Sequence, residues 1–478
     1  MHTRHSPARG PRLVLLRLDS VLARCALRRV LRRVMMVVVL STTVIGTGGA
    51  GGTTRNALAA RGDIAIPATA RAAPAAIDRD SVRCRVRVVS QRRLRMLDGR
   101  IPYVASSSEA WRDGAGLFMG QPVFLFDELA RFPAQPIVRD SLIGLHIDTS
   151  GIARPVVWPL TGDYSLYPRV VNSAEKGWDV LVVRSPTPDT VAMTPDSPAE
   201  IWSGRFDGRH WSAVTRVAIT RAASLKPEFT SRLVRNDVGE LAFAYPLHGV
   251  SPTAGVVVLR RTDGRWRSDS IVTPARVDYV SVEPSLTGRG WTLVYRMPNL
   301  SLESFSLGTI STVSLDSAWQ VPRVVIHGGD TRFTDPVLVR VGDDLIASWW
   351  QRPGDPLFPL GPIGTVRWVR VDSASARYAP QASIAAREGT EFRLVSLGRR
   401  TALWVLRDFT RTSHVSLSAW HAGVAVELGA LALTNDTGMS VVARDDSTAS
   451  LLSSKFGRGA GDPPITSMLT TVSLQCLQ

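Results

Sequence analysis

A single all-β domain, a seven-bladed β-propeller of four-stranded antiparallel blades, is the fold this 478-residue sequence predicts, and three observations predict it. First, a pattern of about 50–60 residues recurs from near residue 100 to the C-terminus. Its clearest copies open on X-Pro, at Tyr167-Pro168, Lys226-Pro227, Glu283-Pro284 and Asp335-Pro336, with Ile101-Pro102 earlier and weaker copies from Phe392 and Ser440. Second, no long stretch carries a helical period. Short β-branched runs (Val180–Val183, Val256–Leu259, Thr292–Tyr295, Leu345–Trp350) alternate with turn residues, the all-β pattern. Third, residues 82–90 (VRCRVRVVS) read as a strand without a blade, while the last repeat has room for only about three strands. The early strand completes that blade and closes the ring.

In chain order, residues 1–59 read as a targeting segment. Arg28, Arg29, Arg32 and Arg33 precede the apolar run Val34–Ile45, and Ala57-Leu58-Ala59 offers a cleavage site. An uncleaved anchor is the alternative, although the run is short for a membrane span. Residues 60–80, rich in Ala and Pro, suit a spacer without fixed structure. Residues 81–478 form the propeller, with blades beginning near 100, 163, 223, 279, 330, 388 and 438. Six blades plus an irregular first segment is the other division the repeat allows. Trp211, Trp266 and Trp319, beside Asp207-Gly208, Asp263-Gly264 and Asp316, are expected to pack between blades.

Cys84 and Cys476 would be the two cysteines left after processing, and strand completion brings them together. In an exported chain such a pair predicts a disulfide. Export to the cell surface, periplasm or medium is the expected location.

The formal charge of +16 overstates the basicity of the domain. Residues 1–59 hold ten Arg, no Lys and one Asp, +9 of the +16, which leaves +7 for the rest. No basic stripe with interleaved aromatics occurs, so a nucleic-acid partner is not expected. The six His residues outside the targeting segment (His146, His210, His248, His327, His414, His421) show no metal-ligand spacing, and no phosphate loop, G-x-S-x-G or H-E-x-x-H is present. No metal or cofactor is expected, and the chain reads as a monomer.

Propeller geometry then places candidate site residues. The loop entering each inner strand and the loop joining strands two and three lie on one face. The first kind carries Asp163, Asp278, Glu283, Asp330, Asp335 and Glu391. The second kind starts just after Arg184, Tyr245, Arg296, Arg352 and Arg407. Arginine at one repeat position in four blades would ring the funnel mouth, and guanidinium forks hold carboxylate or phosphate bidentately. The plain structural reading is that each Arg pairs with a nearby carboxylate and links strands.

Arg100-Ile101-Pro102 resembles the R-I-P motif that opens the first blade of sialidases. Asp140–Gly151 resembles the strand leading into their first Asp-box, and the turns at Asp207, Asp263 and Asp316 resemble degenerate copies of it. Glu283-Pro284-Ser285-Leu286 through Leu293-Val294-Tyr295-Arg296 resembles their segment pairing a functional Glu with the second arginine of a triad. The resemblance implies that Arg100 and Arg296 grip a ligand carboxylate, with Arg352 or Arg407 as third arginine. It implies Asp127 or Asp140 as acid/base and Glu283 as activator of a tyrosine nucleophile. That nucleophile belongs in a late blade, where this chain has no Tyr after Tyr378.

The reading is an exported, sialidase-like, non-catalytic propeller. It binds a glycan or other anionic ligand at a funnel lined by Arg100, Arg184, Arg296, Arg352, Arg407 and Asp335. A divergent glycoside hydrolase using Asp140, Asp127 and Glu283 is the first alternative. A scaffold that takes a protein partner on the Pro-rich loops 184–200 and 352–364 is the second.

Overall fold

The computed structural model describes residues 83–477 apart from a set of connecting stretches, the longest being 124–141, 187–196, 354–362 and 372–381. The targeting segment and spacer at 1–80 lie outside the described residues, as do Arg100, Asp127 and Asp140. Of Asp335 and Arg352 only the backbone is described. Residues Ala75–Gln478 form one compact unit.

That unit is a ring of seven four-stranded antiparallel blades. Strand β1 (Arg83–Leu94) precedes the ring, and β2 (Ile101–Pro102) makes a small separate pair with β5 (Pro122–Val123). Blade 1 is β3 (Ser108–Arg112), β4 (Ala115–Gly120), β6 (Ile143–Ile147) and β7 (Ala153–Val157). Blade 2 is β8 (Tyr164–Asn172), β9 (Trp178–Ser185), β10 (Pro198–Phe206) and β11 (Thr215–Arg221). Blade 3 is β12 (Val234–Arg235), β13 (Leu241–Pro246), β14 (Gly255–Thr262) and β15 (Arg265–Val272). Blade 4 is β16 (Tyr279–Pro284), β17 (Trp291–Pro298), β18 (Leu307–Leu315) and the first half of β19 (Arg323–Val341). The second half of β19 opens blade 5, followed by β20 (Asp344–Pro353), β21 (Ile363–Arg370) and β22 (Ala382–Arg387). Blade 6 is β23 (Glu391–Leu397), β24 (Thr401–Arg407), β25 (His414–His421) and β26 (Val424–Ala432). Blade 7 is β27 (Met439–Ala443), β28 (Thr448–Phe456) and β29 (Ile465–Leu477), with β1 as its outer strand.

Three of the four apolar runs become second strands buried on both faces, and Val256–Leu259 falls in β14, the third strand of blade 3. In β9 every residue is buried; Val180 and Val182 face blade 1, while Leu181 and Val183 face blade 3. In β13, Ala242 and Ala244 face blade 4, and Leu241, Phe243 and Tyr245 face blade 2. A strand covered on both sides needs no polar alternation, which is why these runs are continuous. Seven hydrophobic clusters result among the described residues, one for each pair of adjacent blades. The expected tryptophans sit in them. Trp266 and Trp319 pack against the blade 2–3 and blade 3–4 clusters. Trp211 meets Trp158 edge-on with ring centroids 4.9 Å apart. Asp263 and Gly264 both take positive φ, 51° and 76°, the two-residue hairpin geometry that a D-G pair favours and that delivers Trp266.

Closure follows the sequence reading. β1 runs antiparallel to β29 with Cys84 opposite Cys476, and the two form a disulfide across 392 residues of chain. Three details differ. Blades 1 and 3 begin later than expected, at Ser108 and Val234. Blades 4 and 5 share the continuous strand β19. The X-Pro pairs are not equivalent positions. Tyr167-Pro168 and Asp335-Pro336 fall where the registers of β8 and β19 shift, because proline has no N–H for the ladder. Glu283-Pro284 instead ends β16, and Lys226-Pro227 lies outside the described residues.

Candidate functional site

Arg184, Arg296 and Arg407 occupy matching places near the end of the second strand, opposite Ser165, Tyr279 and Glu391 of the inner strand. Arg352 lies opposite Arg332. Among the described contacts, two of these side chains lie against carboxylates. Asp278 accepts from Arg296 Nε at 2.9 Å and from Nη2 at 2.5 Å, with the guanidinium 5.0 Å from the centre of the Tyr279 ring. Arg184 donates to the Thr161 carbonyl at 2.6 Å and sits 3.4 Å from Asp163. Burial pushes Asp278 above the ordinary carboxylate range, and the Arg296 charge pulls it back. Each is a buried link between a strand-entry Asp and its own hairpin. Arg407 is buried as well.

The implied partnership of Glu283 with Arg296 is not what the fold makes. Glu283 faces Thr292 across the β16–β17 pair, while Arg296 faces Tyr279. Four residues of strand put the two about 13 Å apart along the hairpin. Nor is Glu283 in an entry loop; it lies near the far end of β16.

Glu283 belongs to a second group, on the inner strands. Arg232 stands two residues ahead of β12, Arg169 is in β8, Arg393 in β23 and Glu109 in β3. Five blades thus each carry a charged residue on or just before the inner strand. The β8 register shift, with Tyr167 at φ 47°, re-aims Arg169. Its Nε then donates to the Ser231 carbonyl at 3.2 Å, Nη1 to the Pro168 carbonyl at 3.1 Å and Nη2 to Thr230 Oγ1 at 2.7 Å. Arg393 repeats the device between blades 6 and 7: Nε reaches the Met439 carbonyl at 3.2 Å and Nη1 the Phe392 carbonyl at 3.1 Å. Both guanidinia stitch neighbouring inner strands together.

Arg232 is different. Among the described residues its side chain makes no hydrogen bond and no ion pair within 4 Å, and it is accessible to water. Yet protein surrounds it closely enough that burial lowers its pKa, with repulsion from Arg393 adding and Glu283 and Glu109 opposing. Glu283 is half-buried, and desolvation pushes its carboxyl up to about 8 against the pull of Arg232 and Arg340. Glu109 rises to about 7 for the same reason. Its Oε2 accepts from Trp111 Nε1 at 3.0 Å and from Ser450 Oγ at 3.4 Å, while buried Oε1 has no partner among the described residues.

Chemically this group offers a guanidinium with open donors among the described residues and a carboxyl that burial raises to about 8. No group of His, Cys, Asp or Glu among the described residues could hold a metal. His146 packs edge-on against Trp178 and Phe206, at 5.2 and 5.8 Å between ring centroids. The sequence reading missed Arg169, Arg232, Arg393 and Glu109. The available signal was an Arg near the inner-strand opening in three repeats: Tyr167-Pro168-Arg169, Ser231-Arg232 and Phe392-Arg393.

No family model and no curated protein matches the chain. Solved structures similar to it include three carbohydrate-active propellers. An ulvan lyase is 8% identical with a TM-score of 0.49, over 77% of this chain and 95% of that one. An α-L-arabinofuranosidase from Fusarium graminearum is 11% identical with a TM-score of 0.40, over 64% and 92%. The Trypanosoma rangeli sialidase is 11% identical with a TM-score of 0.37, over 68% and 56%. At these identities and TM-scores the matches add nothing to the fold, which rests on this chain's own strand topology.

Proposed function

We propose that this chain is an exported, sialidase-like propeller that binds an acidic glycan, or another small carboxylate-bearing ligand, in its central channel without turning it over. The observation that carries this reading is Arg232, a channel guanidinium without a protein partner among the described residues. Its donors are open to an incoming ligand, and a guanidinium fork fits a carboxylate. Protonated Glu283 would donate its O–H to the same ligand. Arg184 and Arg296, already partnered, would shape the entry rather than grip. Arg100, Arg352, Arg407 and Asp335 complete the proposed funnel. Export is supported by the Cys84–Cys476 disulfide and the Arg-then-apolar N-terminus.

Calorimetry with sialic acid and with its dehydrated analogue tests the reading. Wild-type protein is expected to release heat that Arg232→Ala abolishes. Equal binding by the variant would remove Arg232 from the site. No heat with either sugar would move the reading towards a scaffold for a protein partner.

A hydrolase reading is favoured by one observation, the raised pKa of Glu283, which suits a general acid at neutral pH. It would take Asp127 or Asp140 as the second carboxylate. Release of fluorophore from an aryl sialoside, lost in Glu283→Gln, is its test.

A further inference from the structure

Strand β1 closes the ring, and its two faces differ. Cys84 and Val86 pack against the blade 6–7 cluster. Arg83, Arg85 and Arg87 alternate with them and are exposed on the other face. Five of the strand's twelve residues are Arg, and neither β1 nor its neighbour β29 carries an acidic residue. Arg83, Arg85, Arg87 and Arg93 make no ion pair or hydrogen bond among the described residues, whereas Arg92 donates to the Gly151 carbonyl at 3.0 Å. Two other outer strands pair an arginine with a carboxylate: Arg154 of β7 lies 3.7 Å from Asp148, and Arg216 of β11 lies 2.8 Å from Glu200, whereas Arg265 and Arg267 of β15 make no ion pair among the described residues. A charge on an edge strand deters edge-to-edge pairing. That purpose needs neither a row of like charges nor apolar side chains exposed among them. Val88 and Val89, at the register shift of β1, are 41% and 56% exposed, and Ile152, next to Gly151, is 56% exposed. Three of the seven large hydrophobics exposed among the described residues therefore gather at this one basic strand.

We propose that this face of β1 docks the propeller onto an anionic phospholipid surface. Arginines beside exposed valines and isoleucine suit a headgroup layer, where charge meets lipid phosphate and apolar side chains reach the acyl boundary. A purely polyanionic partner would have no use for the apolar residues. The chain outside the structure agrees. β1 is where the fold begins after the apolar run Val34–Ile45, and only residues 46–82 lie between. A run that short is a marginal anchor by itself, and a polybasic patch is the usual second signal.

Residues 75–478, which hold every blade, β1 and the disulfide, are mixed with vesicles of phosphatidylcholine alone or with phosphatidylserine added, and sedimented. Binding is expected only to the anionic vesicles and is expected to vanish in 0.5 M salt, a concentration at which the Debye length is below about 5 Å. Substituting Arg83, Arg85 and Arg87 by Gln should weaken it roughly a hundredfold, about fivefold per arginine. The same three changes to Lys should preserve it, which separates lost charge from lost folding. Arg232→Ala should bind vesicles as wild type does, so failure here and failure of the channel reading are distinguishable. Equal binding to neutral vesicles, or undiminished binding by the triple Gln variant, would overturn the proposal. Retention on polygalacturonate without vesicle binding would overturn it in favour of an acidic polysaccharide.

Discussion

Arg296 and Arg232 sit in neighbouring blades, each close to the start of its inner strand, and they have opposite fates. Arg296 is held by both oxygens of Asp278 and by the face of Tyr279. Arg232 points at water and has Glu283 and Glu109 only as more distant counter-charges. The first arrangement lowers the cost of burying a charge within one hairpin. The second leaves the donors open to whatever enters the channel. A propeller uses arginine for both purposes, and the local partner decides which. The stitching arginines, Arg169 and Arg393, fall with Arg296: their donors end on carbonyls of the next blade. Functional interest therefore attaches to the guanidinium that does nothing for the fold.

Substitutions should separate the two regions by their effect on stability. The largest loss is expected from the blade interfaces that both regions rest on. Trp404 is fully buried between blades 5 and 6, and its Nε1 donates to Ser348 Oγ at 3.1 Å. Trp404→Ala should cost about 3–5 kcal/mol in chemical denaturation. A cost below about 1 kcal/mol would mean the interface collapses around the gap. Next comes ring closure: Cys84→Ser should cost about 2–5 kcal/mol, read as a fall in Tm that reductant reproduces in the wild type. Asp278→Ala should follow, because it removes the carboxylate that both Nε and Nη2 of the mostly buried Arg296 hold. About 2–3 kcal/mol is expected, below the 3–5 of a fully buried pair because both side chains keep some exposure. A neutral outcome would place Arg296 in the same class as Arg232.

How much of this was legible follows the same division. Interface residues announce themselves through period and apolarity: VLVV in β9 and LAFAY in β13 are readable because burial on both faces leaves a continuous run. The closing strand was readable because VRCRV had no blade and a lone cysteine stood at each end of the domain. Pairing within a hairpin was half-readable. The recurrent Asp and Arg were visible, but only the register shows that Asp278, five residues before Glu283, is the carboxylate that reaches Arg296. The channel group was not readable. Its members come from blades 1, 2, 3, 4 and 6, one from each, so no local spacing marks them. Proline bulges such as Tyr167-Pro168 also shift the positions that face inward.

The smallest effects concern the channel, and there pH adds a second reading. Glu283, with a folded pKa of about 8, keeps its proton at pH values where the unfolded chain, near the ordinary 4.3, has lost it. The native state then binds more protons than the unfolded state, so stability falls as pH rises from about 4 to about 8 and levels off above. Glu109 acts in the same direction up to about 7. Tm should therefore be higher at pH 5 than at pH 8. Glu283→Gln, which mimics the protonated acid, should shrink the difference, and the double variant with Glu109→Gln should shrink it further. An unchanged slope in the double variant would mean both carboxyls ionise freely in the channel. Arg232→Ala should change Tm least, because it deletes an exposed charge that no fold contact among the described residues uses. Removing the same residue should remove ligand heat altogether. A side chain that the fold does not need and that carries the binding is the strongest contrast with Arg296 that substitution can produce. If Arg232→Ala instead unfolded the protein as Asp278→Ala does, the two arginines would be one class and the channel would lose its candidate anchor.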